Sequence, residues 1–350
     1  MRRTVASSLH RFSLRAEAAA TTDVDDRAAS RYKRERPAAR LSDTVFTLPA
    51  FAKINWSLRV LGRRPDGYHE LRTVFQTVTL HDRLTFSSRA DKRLHLYSDA
   101  PDIPLDESNL IHRAAVALRL RYGVKSGASI HLEKCIPAQG GLGGGSSDAA
   151  VTLLGLAHLW QIETNKRELT ELGANLGADV PFFFTGGTAL GTGLGTEVSE
   201  LAEAEACHLL IVTPQARVST AEAYKALSQP ALTKARSDII LSISCAEAQF
   251  PGPLHEVLYN DFERVIVRLE PETERAKRAL LGAGARGALL AGSGSSVFGI
   301  FDNGAALTRA AATLKQERGW RVFSCATLSR ERYLKALGPC AALCSPDSSV

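Results

Sequence analysis

The sequence predicts an α+β protein of two domains. Three observations carry that prediction. Stretches of strand character and stretches of helical period arrive in blocks, not in strict one-for-one alternation. A chain of 350 residues is long enough for two domains or one large one. And "CHLLIVTP", from Cys207, opens a second set of elements after the first has run its course.

The elements follow in order. "VFTLPAFAKINWSLRVLG", from Val45, is rich in β-formers and reads as one or two strands. "RRPDGYHEL" is a turn built on Pro65-Asp66-Gly67. "RTVFQTVTLHDRLTFSSR" and "RLHLYSD" supply further strands. "SNLIHRAAVALRLRYG" is a helix with Ser108 as its expected N-cap. Its residues Leu110, Ala114, Ala117, Leu118 and Leu120 fall largely on one face, and Gly123 ends it. "ASIHLEKCIP" is a strand that runs into a glycine-rich loop. After the loop, Ala150, Leu153, Leu154, Ala157 and Trp160 recur at helical spacing. "NKRELTELGANLG" is the next helix, and "ADVPFFFTGGTALGTGLGTEVSEL" reads as a strand-and-turn region. Within it "GTGLG", Gly191–Gly195, reads as a hairpin turn. In the second set, helices are expected around "TAEAYKALS", "DFERVIVRLEPETERAKRALLGAG" and "NGAALTRAAATLKQERG". Strands are expected at "GALLAGSGSSVFGIF" and "RVFSCATL". The expected organisation is a disordered leader at 1–43, domains at 44–201 and 202–338, and a disordered tail at 339–350.

Composition narrows the function. The longest apolar runs are strand-sized, so nothing suggests a membrane role. The formal charge of +6 is concentrated at the start of the chain. Met1–Arg40 holds 10 basic and 5 acidic residues, or +5, which leaves about +1 for everything after it. A basic nucleic-acid-binding face is therefore not expected. That leader is rich in Arg, Ala and Ser, as organelle transit peptides are, but Asp23–Asp26 carries an acidic cluster that such peptides lack. The expected location is the cytoplasm, with plastid import through the leader as the alternative. The 6 cysteines form no C-x-x-C pair, and their spacing suits neither a zinc site nor a disulfide framework.

"IPAQGGLGGGSSDAA", from Ile136, holds the chemistry. Five glycines fall between Gly140 and Gly145, directly before a helix, where an ordinary strand-to-helix turn needs one or two. Bare backbone lets several N–H groups converge on one anion, and the helix N-terminus adds positive potential. Ser146 and Ser147 are placed to cap the helix or to bind a phosphate oxygen or Mg²⁺. A Walker A loop is excluded because Gly145 stands where its lysine would be. The dinucleotide fingerprint fails because its third glycine would fall on Ser146.

"PAQGGLGGGSSDAA" resembles the phosphate-binding motif of the GHMP kinases, the superfamily of galactose, homoserine, mevalonate and phosphomevalonate kinases. "AFAKINWSLRV" and "LAGSGSSVFGIF" resemble the other two motifs of that superfamily. "AKINWSLRVLGRRPDGYHEL" followed by "GADVPFFF" is most similar to its 4-diphosphocytidyl-2-C-methyl-D-erythritol kinase family, over roughly Phe46 to Leu337. The resemblance implies a two-domain GHMP kinase fold. Its N-terminal domain would be of the ribosomal-protein-S5-domain-2-like type and its C-terminal domain ferredoxin-like. The active site would lie in the cleft between them.

The same resemblance implies the roles. Lys53 and Asp179 are catalytic, Asp179 as the base that accepts the alcohol proton during in-line transfer of a phosphoryl group. Taken singly, Asp179 reads more readily as a helix or turn cap and Lys53 as a solvated strand charge, and it is the paired motifs that reverse this. ATP would be held by Pro137, Ala138, Gln139, Gly140, Gly141, Leu142, Gly143, Gly144, Gly145, Ser146 and Ser147, with Asn109 near its adenine. The cytidylated alcohol would be held by Asn55, Tyr68, His69, Thr220 and Tyr224, with Gly292, Ser293 and Gly294 shaping its site. Tyr224 would stack on cytosine; the alternative is a tyrosine packed on the inner face of its helix. Mg²⁺ is expected beside ATP, with its ligands unassigned. The expected partner is 4-diphosphocytidyl-2-C-methyl-D-erythritol, with a monomer or weak homodimer as the assembly. The alternatives are another GHMP kinase, acting on homoserine or a mevalonate-type acid, and a non-catalytic nucleotide-binding relative. Those acids carry no base for Tyr68, His69 and Tyr224 to recognise.

Overall fold

The computed structural model describes residues 44–215, 220–227 and 258–345. The leader, residues 346–350 and Cys245 lie outside them. The first domain begins with two long strands, β1 (Val45–Arg63) and β2 (His69–Arg89), paired antiparallel. The Pro65-Asp66-Gly67 turn joins them, with Gly67 at φ 88°. β3 (Leu94–Ser98) and β4 (Gly127–Glu133) extend the sheet on the β2 side. The hairpin of β5 (Thr188–Thr192) and β6 (Glu197–Glu200) pairs with β2 through β5, and "GTGLG" forms its turn as expected. Helices α1 (Leu110–Tyr122), α2 (Gly144–Leu159) and α3 (Lys166–Ala174) supply the remaining layer. Leu84, Phe86 and Ile130 of the sheet meet Ala114, Ala150, Leu153 and Leu154 of the helices in one core. Gly155 admits the Phe86 ring, which stands 2.6 Å from where a Cβ would be.

The second domain holds a four-stranded antiparallel sheet in the order β11-β7-β10-β9. Its strands are β7 (His208–Pro214), β9 (Gly287–Leu290), β10 (Val297–Phe301) and β11 (Trp320–Ala326). α4 (Thr220–Leu227), α5 (Glu263–Leu269), α6 (Pro271–Gly282) and α7 (Gly304–Leu314) belong to it. "DFERVIVRLEPETERAKRALLGAG" forms two helices instead of one, because Pro271 cannot continue α5 and instead opens α6.

The chain returns twice to the first domain. The short strand β8 (Tyr259–Asn260) lies parallel to β1, with Tyr259 opposite Ser57. Helix α8 (Arg330–Ala336) and the 3-10 turn Gly338–Cys344 then bury Tyr333, Leu337, Cys340 and Cys344 in the first core.

That return corrects the expected tail. Residues 338–344 are ordered, because Cys340 and Cys344, four apart, both reach the core while Ala341 and Leu343 pack beside them. Two local readings are corrected as well. Asn109, not Ser108, caps α1: its Oδ1 accepts the Ile111 N–H at 2.9 Å, while the Ser108 hydroxyl is spent on Asp106 at 2.6 Å. "VPFFF" is a buried 3-10 turn, Val180–Phe184, and not a strand, since Pro181 sits at its start and all five side chains face the interior.

Candidate active site

β1 places two polar side chains on one buried face. Lys53 and Asn55 are two residues apart and hydrogen-bonded, Nζ to Oδ1, at 2.9 Å. Shifts in the β1–β2 register flank both residues, between Phe51 and Lys53 and between Asn55 and Ser57. Such bulges re-aim side chains beside functional sites. Asn55 donates to the Thr73 hydroxyl at 2.6 Å, which donates in turn to the Ser57 carbonyl at 2.8 Å. Lys53 is 3 % exposed, a position that only a partner makes tolerable for an ammonium. The partner is Asp179, whose Oδ2 lies 3.1 Å from Nζ. Asp179 itself keeps about a third of its side chain open to the cleft (31 %). The Lys53 ammonium also stands 5.6 Å over the Phe75 ring.

The glycine loop runs beneath this pair. Gly143, at φ 69°, is the N-cap of α2 and offers no side-chain cap, so the helix's first N–H groups are left for a ligand. A Cβ at Gly143 would press on Lys53 Cγ at 2.9 Å. At Gly141, φ 74°, it would run into the Ala291 carbonyl. The second glycine loop thus docks against the first, and the Ser296 N–H donates to the Gly140 carbonyl at 3.2 Å.

Lys53, Asn55, Asp179, Asn109, Pro137–Ser146, Gly292, Ser293 and Tyr224 line one cavity of about 630 Å³. Both domains contribute to it. Four of the expected residues lie differently. Ser147 is fully buried inside α2, off the cavity wall, because the helix begins at Gly144 and carries it inward. It therefore does not cap the helix, and its buried hydroxyl makes no hydrogen bond within the protein. Gly294 turns its N–H back onto the Ala291 carbonyl at 2.9 Å. Tyr68 is exposed (64 %) at the turn, outside the cavity lining. His69 is off the lining too, but it stacks on the Tyr224 ring at 5.0 Å and 24°. Thr220 opens α4, and its side chain is outside the described residues.

Tyr224 is gripped from a second side by Phe262, edge-on at 4.8 Å. Burial first, and the Asp179 carboxylate second, push its phenol up, so it stays protonated. His69 is shifted down, by burial and then by Arg63, and favours its neutral form.

Sequence reasoning missed a buried charge cluster in the cavity wall. The Lys134 ammonium donates to Asp82 and, at 2.9 Å, to Asp148. Asp82 also accepts the backbone N–H groups of Cys135 and Ile136 at 2.6 and 2.7 Å. Burial raises the Asp148 carboxyl to about 7 against the pull of Lys134. Burial alone would lower Lys134, but the two carboxylates outweigh it and hold the ammonium above its usual range. "LEKCIP" and "SSDAA" contain both residues, yet a charge just past a strand and another in a helix's second turn read as surface residues.

Residues 109–187 match the model of the GHMP kinases N terminal domain, and residues 243–319 that of the GHMP kinases C terminal domain. A 4-diphosphocytidyl-2-C-methyl-D-erythritol kinase of Pelotomaculum thermopropionicum is 43 % identical over 256 residues, 73 % of this chain and 89 % of that one. The crystal structure of a 4-(cytidine 5'-diphospho)-2C-methyl-D-erythritol kinase superposes with a TM-score of 0.65 at 35 % identity, covering 81 % of this chain and 99 % of that chain. A homoserine kinase from Cytophaga hutchinsonii reaches a TM-score of 0.62 at only 19 % identity over 83 % and 98 % of the two chains, a likeness of fold alone.

Proposed function

The chain belongs to the 4-diphosphocytidyl-2-C-methyl-D-erythritol kinase family of the GHMP kinases, and from that premise we propose how its cleft does the work. The activity is ATP-dependent phosphorylation of an alcohol, the 2-hydroxyl of 4-diphosphocytidyl-2-C-methyl-D-erythritol, in isoprenoid precursor biosynthesis by the non-mevalonate route. One observation carries the mechanism: the Lys53–Asp179 ion pair stands at 3.1 Å against an uncapped helix N-terminus.

In this reading ATP lays its phosphates on the loop from Pro137 to Ser146, where the first N–H groups of α2 meet them. Its base lies toward Asn109 and the apolar wall of Leu110 and Leu132. The acceptor hydroxyl lies against Asp179, which takes its proton as the oxygen attacks the γ-phosphorus in line. Lys53 holds the carboxylate in place and steadies charge on the transferring group. Asn55 orients Lys53. Tyr224, with His69 stacked on it, forms the cytidine platform. A base inserted between these rings would require them to part to about twice the stacking distance.

Mg²⁺ is part of the proposal. A magnesium ion held mostly by phosphate oxygens and water needs only one or two protein oxygens, and Ser146 lines the cavity. Bound there, the ion neutralises phosphate charge. Among the described residues no group of three His, Cys, Asp or Glu side chains offers a dedicated cage, consistent with a phosphate-held ion. We assign ATP binding to the domain at 44–201, and the platform to Tyr224 of the one at 202–338 together with His69 of the first. No described helix is long and apolar enough to cross a membrane. The cytoplasm as compartment, a monomer or weak homodimer as assembly, and no nucleic-acid partner complete the reading, the last supported by the near-neutral body of the chain. The deciding experiment is mass-spectrometric detection of phosphoryl transfer to the cytidylated alcohol beside homoserine and mevalonate. Transfer to either acid in preference would overturn it.

A further inference from the structure

The turn that presents Asp179 is held from behind by the far end of the chain. Val180–Phe184 follows Asp179 directly, and Asp179 makes no capping bond of its own to it. The N–H groups that close this turn, from Thr185 and Gly186, both go to the Phe182 carbonyl at 2.9 Å. The next carbonyl, that of Phe183, accepts the Tyr333 hydroxyl at 2.5 Å. Tyr333 has no exposed surface. Burial pushes its phenol well above the usual range, so the hydroxyl remains a donor. Its ring also closes over Gly186, where a Cβ would collide with it, and meets Phe51 at 5.6 Å.

Phe183 connects this grip to the phosphate loop. Its ring tip stands 3.1 Å from where a Cβ on Gly143 would lie, and Gly143 is the N-cap of α2. Its neighbour Phe182 stacks on Phe75 at 4.8 Å, the ring beneath the Lys53 ammonium. Helix α8, which carries Tyr333, is itself tied to the first sheet. The Leu328 N–H donates to the Thr77 carbonyl at 2.9 Å, Gln76 Nε2 donates to the Leu328 carbonyl at 3.1 Å, and Arg330 donates to the Thr188 carbonyl at 2.6 Å. The grip therefore has a rigid base.

We propose that Tyr333 is a positioning residue for phosphoryl transfer: its hydroxyl fixes the Phe183 peptide, and through it the turn that aims Asp179 at the acceptor. The inference rests on the reading of Asp179 as the base. Without the hydroxyl, a buried carbonyl is left unpaired and the turn shifts to find another donor. A displacement near 1 Å at a reacting group costs up to about 100-fold in rate, and a loosened turn costs a part of that.

Three variants, Tyr333→Phe, Tyr333→Leu and Asp179→Asn, are compared by kcat, both KM values and melting temperature. Tyr333→Phe keeps the ring and should lose about tenfold in kcat, with KM for ATP and for the cytidylated alcohol within about twofold. Amide exchange should quicken in peptides spanning 179–187 while α2 keeps its protection. Tyr333→Leu should lose as much kcat as Phe, with a further drop in melting temperature. A Phe variant of normal kcat, whatever its melting temperature, overturns the proposal and leaves Tyr333 a packing residue. So does unchanged exchange across 179–187. If Asp179→Asn itself retains full kcat, the reading of the base has failed, a result separate from the behaviour of the Tyr333 variants.

Discussion

Lys53 and Asp179 form a unit in which each makes the other possible. Only 3 % of Lys53 is exposed, and removing Asp179 would leave its ammonium buried beside Asn55 and Phe75 alone. Asp179→Asn should lower kcat by about 10²–10⁴-fold, the worth of a general base, while the ATP dissociation constant holds. Lys53→Ala should be comparably damaging, and the double variant little worse than either, because effects within a unit do not add. Isothermal titration beside steady-state kinetics checks all three proteins, and near-normal turnover by the Asn variant would remove Asp179 from the base role. Tyr224 is tested by the split between binding and stability. Losing a stacking contact of roughly 1–3 kcal/mol weakens binding about five- to 150-fold, so Tyr224→Ala should raise KM for the cytidylated alcohol within that range. Tyr224→Phe should be mild and KM for ATP should not move. Yet Tyr224 also packs on Phe262, so Ala will lower the melting temperature too. A destabilised Ala variant with an unchanged KM for the alcohol means that the ring serves packing alone.

At the scale of elements, much was legible where local chemistry decides. The glycine loop, the β5–β6 hairpin and the alternation of Lys53 with Asn55 are written in turn residues and period. What escaped depends on distant contacts. "VPFFF" carries strand-like composition, and only the core into which all five side chains fold makes it a 3-10 turn. The Gly338–Cys344 turn looked like a tail because its small residues gain meaning only against the first core. The Asp82–Lys134–Asp148 cluster joins β2, the end of β4 and α2 from positions up to 66 residues apart, and no local pattern announces it. It has a measurable signature. Unfolded, Asp148 titrates near the usual carboxylate value of about 4; folded, it titrates at about 7. Between those values the folded state holds a proton that the unfolded state lacks, so stability falls as pH rises through that window. Above about 7 that loss is complete. The raised Lys134 acts at the other end, giving stability below its unfolded value that is lost as pH climbs past the folded one. Asp148→Asn should therefore flatten the fall between about pH 4 and 7, as urea midpoints across that range would show. Parallel curves for the two proteins would mean that Asp148 ionises in the fold as it does in water.

For the whole molecule, the question is whether the two domains unfold separately. Each domain has an apolar cluster on its helical side, which favours two transitions, although Ala52, Ile54, Trp56 and Val78 of the first sheet share a further core with Leu209, Ile211, Leu289 and Phe298 of the second. The chain argues the other way. β8 adds a strand to the first sheet directly before α5 of the second domain, and Asp261 at their junction accepts the Val60 N–H at 2.8 Å. α8 and the turn after it bury Tyr333, Leu337, Cys340 and Cys344 in the first core after β11 has closed the second sheet. The two glycine loops lock together through Ser296 and Gly140. Neither domain can lose its fold without stripping elements from the other, so calorimetry should show one transition whose calorimetric and van't Hoff enthalpies agree. Ligand sharpens the test, because the proposed ATP site is built chiefly from the first domain. At a concentration of about 100 times the dissociation constant it adds roughly 2.7 kcal/mol to whatever unfolds with its site. Coupled domains should rise together as a single peak. Two peaks, of which only one moves with ATP, would show that β8 and the α8 strap fail to join the domains and that the cleft can open by unfolding one of its walls.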